Sequence, residues 1–215
     1  MTHLIIHRGI INKQYKENLL KSFKQSFKKG YGIETDIHAT KDHEFICFHD
    51  FTLNRIFKKK SSVKNMKYSQ IKKISAQNKK PIPLLKDLLN TSKNKYSLFI
   101  EIKPTFSKKL LQKLLKETSK FSKCVFISFK HKNIYNLLKI KSNTKVGLSF
   151  SPPTSVKTII KKSNNRKIDC LILDKFFLKN KNIQDLNIKK YYYTIKTKPE
   201  FKKYSNNNNL IFENL

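Results

Sequence analysis

Short runs of β-branched and aromatic residues alternate along this chain with longer, lysine-rich stretches whose apolar residues recur at helical spacing. That alternation marks repeated strand and helix units around a parallel sheet, because each crossover between parallel strands needs an amphipathic segment that covers the sheet. Eight places read as strands: Leu4–His7, Gly32–Ile37, Glu44–His49, Ser97–Ile102, Cys124–Ser128, Lys145–Leu148, Cys170–Leu173 with Lys190–Thr194, and Leu210–Phe212. The Glu44–His49 run follows its neighbour across only Thr40-Lys41-Asp42-His43, too short for a parallel crossover, and is expected as an extra strand at the rim. Helices are expected over Glu17–Lys28, Leu84–Asn90, Ser107–Lys120, Asn133–Leu138 and Thr154–Lys161. Ser107 suits an N-cap, and Leu110, Leu111, Leu114 and Leu115 form a stripe that should be buried against the sheet.

Such units suit an α/β fold, a small TIM-type (β/α)8 barrel, and 215 residues suit one domain with one core. The single domain is expected over residues 1–215. Residues Phe57–Lys80 break the alternation and end in Pro81-Ile82-Pro83, so a short insertion is expected there, serving as a lid at about residues 57–80. The sequence stops soon after Leu210–Phe212, and the last helix of the barrel is expected to be missing. The Asn206–Asn209 run reads as a surface turn.

Charge modifies this picture without deciding it. The formal net charge is +33, but lysine far outnumbers arginine and is spread from Lys13 to Lys203 together with abundant Asn and Ile. A nucleic-acid reader concentrates Arg and Lys on one element, so no specific nucleic-acid partner is expected. The field still draws in small anionic substrates and leaves the surface open to peripheral contact with anionic membranes. Cys47, Cys124 and Cys170 are far apart, odd in number and flanked by apolar residues, which reads as buried strand positions in a reducing compartment. With no signal-peptide pattern and no apolar run of about 18 residues, the expected location is cytoplasmic. Nothing in the sequence sets an oligomeric state.

Acidic residues are scarce, so their placement matters. Glu34 and Asp36 sit two apart in the apolar strand Gly32-Ile33-Glu34-Thr35-Asp36-Ile37, which puts both carboxylates on one face. Two unneutralised carboxylates are costly inside a barrel, and a bound cation is the economical solution. Glu101 ends another strand, Leu98-Phe99-Ile100-Glu101-Ile102-Lys103. Three hard oxygen ligands suit one divalent cation, Mg²⁺ or Ca²⁺. The plainer alternative is pairing with the many neighbouring lysines. His7, before Arg8-Gly9, and His49, before Asp50, also end strands, where barrel enzymes carry their catalytic groups.

Taken together, His7-Arg8-Gly9, Glu17-Asn18, Glu34-Thr35-Asp36-Ile37-His38, Thr40-Lys41-Asp42, His49-Asp50 with Leu53 and Arg55, Pro83-Leu84-Leu85 and Glu101-Ile102-Lys103 resemble the signature of glycerophosphodiester phosphodiesterases. The resemblance implies metal-dependent hydrolysis of a small anionic glycerophosphodiester to glycerol 3-phosphate and an alcohol. It assigns Glu34, Asp36 and Glu101 to the metal, Arg8 and Lys103 to the phosphate, and His7 and His49 to acid–base catalysis. In this family the attacking group is the substrate's own glycerol 2-hydroxyl, giving a cyclic phosphate that water opens. Glu17, Asn18 and Asp50 are expected to support these groups, Asn18 either at the phosphate or as a helix cap. Beyond Lys103 the likeness thins. Tyr193-Thr194-Ile195 stands where the family has a tryptophan–threonine strand, and Ile211-Phe212-Glu213-Asn214 replaces its threonine–aspartate ending, so the substrate pocket and the closure of the barrel are where departures are expected. Two other readings stand beside this one: a lysophospholipase D-like phosphodiesterase acting on lipids, and a non-enzymatic binder of RNA or another polyanion.

Overall fold

The computed structural model describes residues 3–213. Nine strands alternate with helices: β1 Leu4–His7, β2 Gly32–Ala39, β3 Phe45–Cys47, β4 Leu98–Ile102, β5 Cys124–Ser128, β6 Val146–Phe150, β7 Cys170–Asp174, β8 Lys189–Ile195 and β9 Asn209–Phe212. The helices are α1 Leu20–Lys28, α2 Asn54–Phe57, α3 Tyr68–Gln77, α4 Leu85–Ser92, α5 Lys108–Glu117, α6 His131–Ile140, α7 Val156–Ser163, α8 Lys181–Gln184 and α9 Lys198–Tyr204. Eight of the strands are parallel in the order β1-β9-β8-β7-β6-β5-β4-β2, and pairing of β1 with β2 closes them into a barrel. The ninth, β3, runs antiparallel on the outer edge of β2, as its short connection requires.

The two-residue period of the strands sorts the core into two layers. One set of alternate residues, including Ile6, Ile33, Ile100, Leu148 and Leu171, packs with Phe23, Leu88, Leu111, Leu114 and Ile134 from the helices. The other set, Ile5, Phe99, Ile127, Cys170, Ile172, Tyr191 and Ile211, forms a separate cluster that fills the barrel interior. Gly32 exists because of that crowding: a Cβ there would lie 2.6 Å from Ile5 Cδ1 and 2.8 Å from the Ser97 carbonyl oxygen. The leucine stripe of α5 lies as expected, with Leu111 and Leu114 fully buried, and the Ser107 hydroxyl accepts a hydrogen bond from Leu110 N–H.

The 57–80 segment has its own small core, in which Leu53, Phe57, Val63, Ile71 and Ile82 pack on Ile46 and Phe48 at the rim strand. It contains the helix α3, which its weak apolar period concealed. Four other features differ from expectation. The barrel closes fully, because Leu210, Ile211 and Phe212 pair with Leu4, Ile5 and Ile6 on one side while β9 pairs with β8 on the other. Cys170–Leu173 and Lys190–Thr194 belong to two adjacent strands, separated by a 3-10 turn over Lys175–Lys179 and α8. The short helix α9 precedes the last strand. The first helix begins at Leu20 instead of Glu17, because Asn18 has a left-handed backbone with φ 55°. The expected absence of a final helix lies outside the described residues. Among the described residues no helix is long and apolar enough to cross a membrane.

Replacing Gly32 by Ala should destabilise the protein by about 1–3 kcal/mol, the usual effect of overpacking a filled interior. Urea unfolding followed by circular dichroism measures it, and an unchanged midpoint would contradict the packing described.

Candidate active site

The strand β1 delivers His7 at its C-terminal end, and Arg8 follows with φ 57°. Consecutive residues of a strand face opposite ways. The left-handed turn breaks that rule and lets Arg8 line the same cavity as His7. Such a backbone costs on the order of 1–3 kcal/mol and persists where its surroundings enforce it. Here the Arg8 N–H donates to the Glu34 carbonyl at 2.8 Å, and the Arg8 carbonyl accepts from Asn18 N–H at 2.9 Å. Gly9, with φ 77°, takes the next turn where a Cβ would lie 3.0 Å from Phe23 Cδ1.

Strand register assembles the carboxylates. His7 stands opposite Glu34, and Asp36 opposite Glu101. Oxygens of Glu34, Asp36 and Glu101 lie within 4.8 Å of one another, and all three residues are buried. Arg8 Nε is 3.1 Å from Asp36 Oδ2, while Lys103 Nζ is 3.4 Å from Asp36 Oδ1 and 2.9 Å from Glu101 Oε1. The rim strand brings in His49: Phe48 N–H donates to the Asp36 carbonyl at 2.9 Å, and His38 Nε2 reaches the His49 carbonyl at 3.1 Å. His49 Nδ1 is 2.7 Å from Asp50 Oδ1, and Asp50 Oδ2 accepts from Arg55 Nε at 2.6 Å. Arg55 also binds Glu17, whose carboxylate lies 3.7 Å from Arg8 Nη1. Asn18 does not cap its helix but supports a carboxylate. Its amide reaches Asp36 Oδ2 at 3.4 Å, its carbonyl accepts from Thr35 Oγ1 at 2.8 Å, and Leu19 is the N-cap of α1.

Burial and crowding set the charges. Burial, then the neighbouring Asp36 and Glu101 carboxylates, push Glu34 well above the usual carboxylate range. Burial and Asp36 push Glu101 up to about 7 against the pull of Lys103. Burial opposes the charge of Asp36 as well, but Arg8 and Lys103 outweigh it and hold that carboxyl below its ordinary value. His49 is lowered by burial and then by Arg8, and burial drives His38 down to about 4. Burial and mutual repulsion thus work against ionisation of all three acids together. Glu34 Oε2 and Asp36 Oδ1 are buried without a hydrogen-bond partner. Hard oxygen donors, two of them unpartnered, fit a divalent cation such as Mg²⁺ or Ca²⁺.

These groups form one wall of a cavity of about 350 Å³ that also takes in Phe129, Ser149, Tyr193 and Lys196. Ser149 presents a buried hydroxyl with no partner, Tyr193 Oη donates to the Phe150 carbonyl at 2.9 Å, and Phe129 meets the Tyr193 ring edge-on at 5.9 Å. All seven residues assigned from sequence to metal, phosphate and acid–base work therefore meet in one place. Sequence reasoning missed Glu213, whose Oε2 is 3.0 Å from His7 Nδ1, and Lys196, 3.1 Å from Glu213 Oε1. The signal was there in the alternation of Ile5 and His7 against Ile211 and Glu213, but reading it requires the register.

A closed parallel barrel whose mouth joins a carboxylate cluster, a cationic pair and two histidines is the framework of a phosphoric diester hydrolase. Residues 7–210 match the family model described as "Glycerophosphoryl diester phosphodiesterase family". A glycerophosphodiester phosphodiesterase of Caldanaerobacter subterraneus is 30% identical over 164 residues, covering 69% of this chain and 67% of that one. The crystal structure of a glycerophosphodiester phosphodiesterase from Thermotoga maritima superposes with a TM-score of 0.81 at 20% identity, over 99% of this chain and 94% of the other. A phosphodiesterase from Oleispira antarctica, solved with its product sn-glycerol-3-phosphate, superposes with a TM-score of 0.83 at 18% identity, over 98% and 92%. The chain belongs to the glycerophosphoryl diester phosphodiesterase family.

The raised Glu101 carboxyl makes a signed prediction for the metal-free protein. Its folded value near 7 exceeds its unfolded value of 4.5, so the folded state holds more protons and its stability falls as pH rises from 4.5 through 7. In chelator, a Glu101→Gln variant should gain thermal stability relative to the parent as pH is raised from 5 to 8, and a difference independent of pH would show the carboxyl to be unperturbed.

Proposed function

We propose that this protein hydrolyses glycerophosphodiesters to glycerol 3-phosphate and an alcohol, using one divalent cation, Mg²⁺ or Ca²⁺, and His7 and His49 as acid and base. The observation that carries the reading is the buried triad Glu34, Asp36 and Glu101 with unpartnered oxygens, set between Arg8 and Lys103 and flanked by two histidines that each touch a carboxylate. The Oleispira antarctica relative, whose structure holds sn-glycerol-3-phosphate, supports the substrate class.

Glu34, Asp36 and Glu101 would hold the cation, which when bound neutralises charge on the phosphoryl oxygens. Arg8 supplies directed donors to the phosphate and Lys103 a compact charge. One histidine takes the proton of the attacking glycerol 2-hydroxyl and the other gives a proton to the departing alkoxide. The phosphorus–oxygen bond to the alcohol breaks as the bond to the 2-hydroxyl oxygen forms, and water then opens the cyclic phosphate. The Asp50–Arg55–Glu17 chain steadies His49 from outside the cavity, and Asn18 steadies Asp36. Residues 1–215 act as one catalytic domain, with 57–80 as a lid whose core packs on Phe48, the residue before His49. Three unpaired, buried cysteines support a cytoplasmic location.

A second reading, a lysophospholipase D-like action on lipids, is favoured by one observation. Phe51, Phe129 and Phe176 are the large apolar side chains exposed among the described residues, and all three lie on connections at the mouth face. They would rest on an anionic membrane that the basic surface attracts.

Purified protein should release glycerol 3-phosphate from glycerophosphocholine in Mg²⁺ or Ca²⁺ and lose that activity in EDTA. His7→Ala and His49→Ala should each reduce turnover by about 10²- to 10⁴-fold while the protein stays folded, the range for loss of a proton-transfer group. Full turnover in either variant would sink the acid–base assignment. Stimulation by phosphatidylserine vesicles would transfer weight to lipid substrates. RNA binding with steep salt dependence and no turnover would leave a polyanion binder.

Because burial and mutual repulsion favour the protonated forms of Glu34 and Glu101, which a cation must displace, binding of Mg²⁺ should release protons and tighten as pH rises from 6 to 8. Calorimetry in buffers of different ionisation enthalpy reads this directly. Heats that do not vary between buffers would argue against the triad as the ligand set.

A further inference from the structure

We propose that Glu213, on the residue just past the last barrel strand, is the positioning residue for His7: its carboxylate accepts the Nδ1 proton and aims Nε2 into the site. The proposal rests on the reading of His7 as an acid–base group and adds a residue outside the sequence motifs that led to it.

The closing seam of the barrel makes the contact. Pairing of Leu4 with Leu210, Ile5 with Ile211 and Ile6 with Phe212 sets the register, and one further step brings His7 beside Glu213. Ile5 and Ile211 both belong to the interior cluster, so alternation sends His7 and Glu213 to the same inner face, one step nearer the mouth. Glu213 is anchored at three points. Its N–H donates to the Ile195 carbonyl at 3.0 Å, its Oε1 is 3.1 Å from Lys196 Nζ, and its Oε2 is 3.0 Å from His7 Nδ1. The hydrogen bond from His7, with help from Lys196, holds the Glu213 carboxyl at about 2, so it is an ionised acceptor throughout the neutral range.

An ionised carboxylate can only accept, so the proton of a neutral His7 resides on Nδ1. The free lone pair is then on Nε2, which lies 3.8 Å from Glu34 Oε2 and faces the carboxylate cluster. Without Glu213 the imidazole can rotate, and its other tautomer puts a proton where a base needs a lone pair. The same carboxylate also stabilises the imidazolium that forms when Nε2 accepts a proton. His49 has the matching arrangement with Asp50, but its carboxylate is the next residue in sequence, whereas that of His7 is 206 residues away. The interaction of Glu213 with Lys196 alone would be a structural role, and the test must separate the two.

The test combines kinetics on glycerophosphocholine with ¹⁵N-histidine NMR of the full-length protein and its Glu213→Ala, Glu213→Gln and Glu213→Asp variants. The expected result is an Nδ1–H tautomer for His7 in the parent, assigned by its loss in His7→Ala, and a shift toward Nε2–H in Glu213→Ala. Turnover in Glu213→Ala should fall by about 10-fold or more, up to about 10⁴-fold, with KM nearly constant, the span between carboxylates behind metal-bound histidines and the carboxylate behind an acid–base histidine. Added formate should restore part of it, and Glu213→Asp should lie between Ala and the parent. Should Ala disturb the barrel, Glu213→Gln keeps the size of the side chain and is expected to lower turnover in the same sense. An Nε2–H tautomer for His7 in the parent, or unreduced turnover in folded Glu213→Ala, would overturn the proposal. The NMR readout holds even when no glycerophosphodiester is cleaved, so failure of the substrate assignment and failure of the positioning role give different results.

Discussion

Three carboxylates within 4.8 Å of one another, all buried, are the constraint to which the rest of the mouth answers. Left alone, that much negative charge in a low-dielectric interior would be expelled or protonated, as the upward displacement of Glu34 and Glu101 records. Two cations, Arg8 and Lys103, are therefore turned inward. Arg8 accepts a left-handed backbone to reach Asp36, and Lys103 spans Asp36 and Glu101. The same arrangement serves chemistry: groups that balance the acids on one side are the groups an anionic phosphate meets on the other. A site whose internal charge is almost balanced can also tolerate a strongly basic exterior, because exposed charges more than a Debye length away, roughly 8 Å at physiological salt, are largely screened.

Behind the cavity, the polar groups act in connected sets. Glu17, Arg55 and Asp50 form a chain that ends on His49, while Asn18 joins Thr35 to Asp36 and fixes the Arg8 carbonyl. In the Glu17–Arg55–Asp50–His49 chain each carboxylate is held by the next group, which lets a polar network stand behind a barrel wall. His38 shows the limit of reading function from residue type. It sits in the motif beside Asp36, yet burial keeps it neutral and its ring serves to hold the His49 backbone.

Much of this was legible in the amino-acid sequence, for physical reasons that differ from place to place. Glu34 and Asp36, and likewise Glu101 and Lys103, are two residues apart, so strand geometry alone puts each pair on one face. The α5 stripe and its Ser107 cap obey local rules of helix spacing and N–H satisfaction. What stayed hidden depends on contacts between distant segments. The helix α3 is held by a small core that includes Ile46 and Phe48, so its own apolar period is faint. Closure of the barrel depends on backbone pairing of Leu210–Phe212 with Leu4–Ile6, and backbone pairing leaves little mark on side-chain type. A cap was one of two roles open to Asn18, because asparagine often fills it. Only the left-handed φ of the real structure shows that the helix starts beyond it.

The seam between β1 and β9 has a consequence for how the protein comes into being. His7 leaves the ribosome 206 residues before Glu213, yet the two end side by side. Until Leu210–Phe212 is available to slot between β1 and β8, the barrel is an open sheet with two bare edges, and the mouth has no complete wall. The pocket is therefore completed only once Glu213 has emerged, so nascent chains that stop short of it should be inert toward substrate however much of the signature half is already present.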